Sequence, residues 1–211
     1  VQDKEKIEYD AVNLLEDDSS YRSSTFQLNK EIVERKGELS EYDVIYSYPM
    51  NTILGLGKIS PDIEAKTVVT LNAYGAICPT NTLLYRDSHD NIGSLKCVKC
   101  ILKQQKARFD GGGLDRLKEI PIDTARKTLK LNRIRKTRNY VDNIDKYVAL
   151  TDHVKARYSE AGFTEEKIDV IPPILDEKFL VEHKSDFKPP YKLLYVGYLK
   201  NNKGVERLVS L

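Results

Sequence analysis

The chain contains no tryptophan, one methionine and three cysteines in 211 residues. The cysteine number is odd, and no secretory signal precedes them. The opening Val-Gln-Asp-Lys-Glu-Lys is polar, with no apolar stretch after it. These absences argue against a disulfide-stapled scaffold and for a reducing compartment. No run approaches the roughly 20 apolar residues needed to span a bilayer. An excess of one charge is missing too: the net is +2, although 31% of residues are charged. An initiator methionine is absent, and the last helical pattern stops at Leu211, so the expectation is that both ends of a longer protein are missing. The length is that of one or two domains with an adequate core.

What is present is an alternation of strand-like and helix-like segments. Three apolar, β-branched runs lie at residues 146–151, 167–172 and 193–205; each ends in a turn signal, and helical patterns separate them. That is how a parallel α/β sheet reads. Upstream, residues 7–15 alternate loosely as a strand, stopped by an acidic run at 16–18. Ser24-Thr-Phe-Gln27 has the form of a capping box opening a helix to about Leu39, with Phe26, Ile32 and Val33 on its apolar face. Strands are expected at 43–47 and 66–71, with a short glycine-containing helix at 52–59 between them. An irregular, cysteine-bearing insert occupies 73–113 and ends in three consecutive glycines. A basic helix then runs from Asp123 or Thr124 to about Tyr140, with a narrow apolar stripe of Ala125, Leu129, Ile134 and Val141. Paired prolines at 172–173 and 189–190 bracket a linker. The domains expected are therefore 1–172, a linker at 173–190, and the start of a second domain at 191–211.

Four groups of residues carry chemistry. Gly197 ends the last strand, and Lys203-Gly204 opens the next helix. A glycine there lets a ligand approach the backbone, and a lysine at a helix start offers a cation to a diphosphate. The plainer alternative is a strand-turn-helix with a surface lysine. Asn72 follows the strand 66–71 at its C-terminal edge, where ligands of α/β sheets bind; it is otherwise a strand-end turn residue. Cys97-x-x-Cys100, with Cys78 and His89, would complete a Cys₃His set for a structural metal; buried or reactive thiols are the alternative, and the question stays open. Finally, residues 116–138 hold nine Lys or Arg (116, 118, 126, 127, 130, 133, 135, 136 and 138) against Glu119 and Asp123. That local net of +7 leaves −5 for the rest of the chain. Such asymmetry suggests an anionic partner such as a membrane surface, or else a solvated helix face.

Over residues 147–205 these blocks also resemble a known family. "T-D-H-V", then "G-F-T-E-E-K-I-D-V-I-P-P-I-L-D", then "L-L-Y-V-G-Y-L-K-N-N-K-G-V" are similar, in order and spacing, to the domain junction of GT-B glycosyltransferases of the GT4 group. The resemblance implies a GT-B arrangement: a Rossmann-like, acceptor-side N-terminal domain followed by the first strand-helix unit of a donor-binding domain. It implies transfer of a sugar from a nucleotide-sugar to an acceptor hydroxyl, with retention and no required cofactor or catalytic metal. Gly197, Lys203 and Gly204 match the family's diphosphate-binding positions, while Tyr198 stands where an arginine is usual and supplies no charge. Asn72 stands where the family often has the histidine that contacts the transferred sugar; it can hydrogen-bond but cannot act as acid or base. Implied partners are the donor and an acceptor such as a lipid-linked glycan, and no nucleic acid. The implied location is cytoplasmic or peripheral on the cytoplasmic membrane face. A non-catalytic GT-B-like binding or scaffold protein and a nucleic-acid-binding module are the rival readings. The 211 residues taken alone are not expected to be active.

Overall fold

Within the run Lys66-Thr-Val-Val-Thr-Leu71, Thr67, Val69 and Leu71 point into the core and are fully buried, and Thr70 on the opposite side is buried as well. A strand covered on both faces is what a parallel sheet demands. In the computed structural model, which describes residues 24–83, 95–110, 119–174 and 195–196, this run is the second of four strands. The strands are β1 (Val44–Ser47), β2 (Lys66–Leu71), β3 (Lys146–Ala149) and β4 (Ile168–Val170), all parallel and in the order β1-β2-β3-β4. Their register lines up Ser47, Val69, Tyr147 and Ile168 in one row across the sheet. The architecture is α/β and Rossmann-like, and every strand sends its C-terminal end to the same edge.

Among the described residues six helices accompany the sheet: α1 (Ser24–Glu34), α2 (Lys36–Leu39), α3 (Ile53–Ile59), α4 (Leu95–Asp110), α5 (Glu119–Thr137) and α6 (Asp152–Glu160). The chain divides into two compact units, Val1–Pro172 and Pro173–Leu211. Within the first unit α1 packs on α3. Asn29 fastens that contact: its Nδ2 donates to the carbonyls of Thr25 (2.7 Å) and Asn51 (2.9 Å), while its Oδ1 accepts from the Gly55 amide at 2.5 Å. On the other side α3 presses against the 3₁₀ turns that follow α5. A Cβ at Gly57 would lie 2.5 Å from the Tyr140 carbonyl oxygen, so only glycine permits this approach.

Beneath the sheet, Tyr147, Tyr158 and Phe163 pack edge-to-face, with ring centroids 5.1 Å (Tyr147–Phe163) and 4.9 Å (Tyr158–Phe163) apart. Burial pushes the pKa of both phenols well up, and each hydroxyl finds a main-chain acceptor: Tyr147 donates to Val141 at 2.8 Å, Tyr158 to Ala73 at 2.6 Å. At the N-terminal edge, Asp145 joins β2 to β3. Its carboxylate accepts from the Thr67 amide (2.9 Å), the Thr67 hydroxyl (3.0 Å) and Lys66 (3.2 Å). Burial alone would raise its pKa, but these hydrogen bonds outweigh it and hold the carboxyl below the usual aspartate value.

Three expectations are corrected. The insert 73–113 is not irregular throughout, because residues 95–110 form α4 with Cys97, Cys100 and Ile101 buried. α1 buries Ile32 but leaves both Phe26 (80%) and Val33 (39%) exposed, so of the three apolar residues expected on its inner face only Ile32 lies there. In α5 the buried line is Leu131, Ile134 and Thr137, continuing to Val141, whereas Leu129 is 71% exposed and Ala125 faces solvent. The strand expected at 7–15 and the one expected at 193–205 lie outside the described residues, apart from Tyr195 and Val196. Among the described residues, no helix is long and apolar enough to cross a membrane.

Candidate functional site

The four strand ends differ in what they offer a ligand. After β3, Thr151 adopts an extended backbone and caps α6, its hydroxyl accepting from the Val154 amide at 3.2 Å. Asp152 follows in the first turn. An N-terminus already served by its own cap and an acidic residue gives little welcome to an anion.

The exit of β2 is different. Asn72 is half-buried, and its carboxamide makes no hydrogen bond with any described residue. Its neighbour Ala73 is fixed instead through the main chain, by the Tyr158 hydroxyl, which also lies 3.3 Å from Met50 Sδ. The chain then turns: the amides of Ile77 (3.2 Å) and Cys78 (2.8 Å) both donate to the Tyr74 carbonyl. Ile77 and Cys78 are buried, and the Cys78 thiol sits 3.1 Å from the Thr80 hydroxyl. Two non-glycine residues then take left-handed backbone, Asn81 (φ 63) and Leu83 (φ 53). Asparagine tolerates that conformation; leucine does so at a cost of about 1–2 kcal/mol, so the surrounding loop must hold it there.

Onto this loop α5 lowers a lysine. Lys130 Nζ donates to Asn81 Oδ1. A Cβ at Gly75 would lie 3.2 Å from that Asn81 oxygen and 3.6 Å from the ammonium. It would also lie 3.3 Å from Met50 Sδ, so the loop closes tightly around the pair and only glycine fits without a shift. Burial, then the charge of Arg133, lowers the Lys130 pKa to about 8; Cys78 acts the other way, and Lys127 adds a smaller lowering. One turn on, Arg133 is half-buried, and desolvation lowers its pKa too. Neither cation has a carboxylate partner among the described residues. By contrast Lys127, one turn earlier, is bound to Asp123 at 2.6 Å, and Asp123 also accepts from Gln105 at 2.9 Å.

No family model, no curated protein and no solved structure matches the chain.

Of the sites expected from sequence, Asn72 stands at the C-terminal edge of β2, beside this loop. Gly197, Tyr198, Lys203 and Gly204 lie outside the described residues, as does His89. Cys78, Cys97 and Cys100 are all buried, and none of them is in a disulfide. Cys97 and Cys100 are held by a helix rather than a tight turn, and Cys97 packs with Ile101 and Leu131 as a small apolar side chain. Among the described residues, no group of three or more His, Cys, Asp or Glu could hold a metal ion.

Lys130 and Asn81 were not singled out in the sequence. Lys130 was one of nine basic residues in a segment read as a surface, and Asn81 was part of an insert without pattern. The spacing did hold a clue. Residues 127, 130, 134, 137 and 141 repeat every three to four positions, so a stripe drawn through Ile134 and Leu131, instead of Leu129, places Lys127 and Lys130 toward the protein.

Proposed function

We propose that this chain belongs to a glycosyltransferase of GT-B type, resembling the GT4 group, that moves a sugar from a nucleotide-sugar to an acceptor hydroxyl with retention. The observation that carries the reading is the half-buried carboxamide of Asn72, without a hydrogen-bond partner among the described residues, at the C-terminal edge of a parallel sheet, in the position the resemblance assigns to a sugar contact. A carboxamide suits hydroxyl recognition, because one side accepts and the other donates without a charge change. The ordered blocks over residues 147–205 add support, and the described residues 151–154 and 162–174 of two of them fall on α6, the turn after it and β4. In this reading Asn72 orients the sugar; Lys203 and the Gly197 and Gly204 backbone stabilise the leaving diphosphate, with Tyr198 contributing a hydroxyl.

The test uses the full-length gene product and a panel of nucleotide-sugars. Transfer or slow donor hydrolysis is expected with one of them. Asn72→Ala should lower turnover by ten-fold or more while nucleoside-diphosphate affinity stays within two-fold. Lys203→Ala should instead cost about 1.5–3 kcal/mol of that affinity by calorimetry, and Tyr198→Arg should tighten it. Absence of binding to every nucleotide and nucleotide-sugar overturns the reading in favour of a non-catalytic protein.

A further inference from the structure

We propose that the outer side of α4 docks on an anionic lipid bilayer, with Leu95, Val98 and Leu102 entering the interface and Lys96, Lys99, Lys103 and Lys106 meeting the lipid phosphates. The inference goes beyond sugar transfer and stands without it. Its first support is that α4 carries two apolar lines, of which the fold uses one. Cys97, Cys100, Ile101 and Gln105 are buried; Cys97 and Ile101 pack with Leu131 of α5, and Gln105 donates to Asp123 at 2.9 Å. Leu95, Val98 and Leu102, at spacings of three and four, share the opposite side and are 79%, 36% and 56% exposed. Apolar side chains scattered singly over a surface are ordinary, whereas three in line on one helix form a patch.

The second support is charge. Each of the three apolar residues is followed by a lysine, as Leu95-Lys96, Val98-Lys99 and Leu102-Lys103, and Lys106 extends the row by a turn. At about 100° per residue the lysines fall along one flank of the apolar line, and all four are exposed. Residues 95–109 contain no Asp or Glu, so the outer side of α4 is apolar and basic without an opposing charge of its own. A bilayer interface presents the complement of that pattern, anionic phosphates over an apolar layer. The lysine stems can lie along the apolar layer while their ammonium groups reach the phosphates. Among the described residues no helix can cross a membrane, so α4 lies in the plane of the interface.

The experiment mixes the full-length protein with phosphatidylcholine vesicles, with or without phosphatidylglycerol, and follows co-sedimentation at low salt. Binding to the anionic vesicles alone is expected. Leu95→Gln, Val98→Gln and Leu102→Gln combined should weaken it at least ten-fold although no charge changes. Lys96→Glu, Lys99→Glu and Lys103→Glu combined should do the same. Phe26→Gln, at an exposed apolar residue of α1, should leave binding unchanged. Should the apolar triple variant fail to fold, Leu102→Gln alone supplies the comparison, with a weakening of about three-fold expected. Insertion is read separately from Leu102→Trp. Its fluorescence, taken as the difference from the unsubstituted protein, should shift to the blue on anionic vesicles and be quenched by brominated acyl chains. Full binding after loss of the apolar side chains, or Leu102→Trp emission that neither shifts nor is quenched, overturns the proposal. So does a lipid-free dimer that the apolar triple variant dissolves, because the patch is then a contact between copies. These readouts need no sugar transfer, so the two proposals fail separately.

Discussion

Tyr158, on the helix after β3, donates its hydroxyl to the carbonyl of Ala73, in the loop after β2, at 2.6 Å. The side chain is fully buried, so this bond ties two strand exits together beneath Asn72 without using either residue's surface. Tyr158→Phe keeps the ring and its edge-to-face contact with Phe163 but leaves the Ala73 carbonyl without its partner. A loss of about 1–2 kcal/mol in denaturant unfolding is expected. Amide exchange in residues 73–78 should also accelerate. Unchanged exchange there would show that the loop is held by something else.

Asp145 makes stability depend on acid. Its folded pKa lies below the ordinary value of 3.8, so its contribution is complete above that value and fades as the pH falls through the lower, folded one. Asp145→Asn should cost about 1–2 kcal/mol at pH 7, because the Thr67 amide and hydroxyl lose a charged acceptor. The gap between variant and wild type should close on acidification below about pH 4. A gap independent of pH would show that shape, and not charge, is what Asp145 provides.

Lys130 works in the opposite sense. Its pKa falls from 10.5 to about 8 on folding, so the folded protein binds that proton less readily than the unfolded chain. Stability contributed by this group is lowest below pH 8 and recovers as the pH rises toward the unfolded value. Lys130→Met should therefore stabilise the protein at pH 7, by about 1–3 kcal/mol less the lost Asn81 hydrogen bond. The advantage should shrink between pH 8 and 10. A destabilised variant across that whole range would mean that the lysine is fully compensated.

The outer face of the basic helix supports a separate expectation. Arg126 and Lys136 on α5, and Arg138 just after it, are exposed, whereas Arg133 is half-buried and is not a surface group. Each exposed cation near an anionic membrane contributes about 1 kcal/mol, screened within a Debye length. Full-length protein should co-sediment with anionic vesicles at low salt and release as salt rises, and charge reversal at Arg126, Lys136 and Arg138 should abolish it. Sedimentation that survives reversal would assign these residues to an ordinary solvated face.

Local sequence determined the strands at 44–47, 66–71, 146–149 and 168–170 and the helices near 24–39 and 53–59, because β-branched runs, turn residues and helical spacing act over a few residues and each run was flanked by its own stop. The alternation of those elements likewise determined a parallel α/β sheet. The face that each helix buries was a different matter. Phe26 and Leu129 are as apolar as Ile32 and Leu131, and only the neighbouring helices decide which of them loses its water. α4 escaped detection because Cys97, Ile101 and Gln105 make a helical stripe only once α5 supplies Leu131 and Asp123 to cover it. The site divides the same way. Asn72 was legible because it sits directly after a strand. Lys130 was not, because a lysine's charge is written in the sequence but its separation from water is not. Its meeting with Asn81, 49 residues away, exists only when α5 folds back over the end of β2.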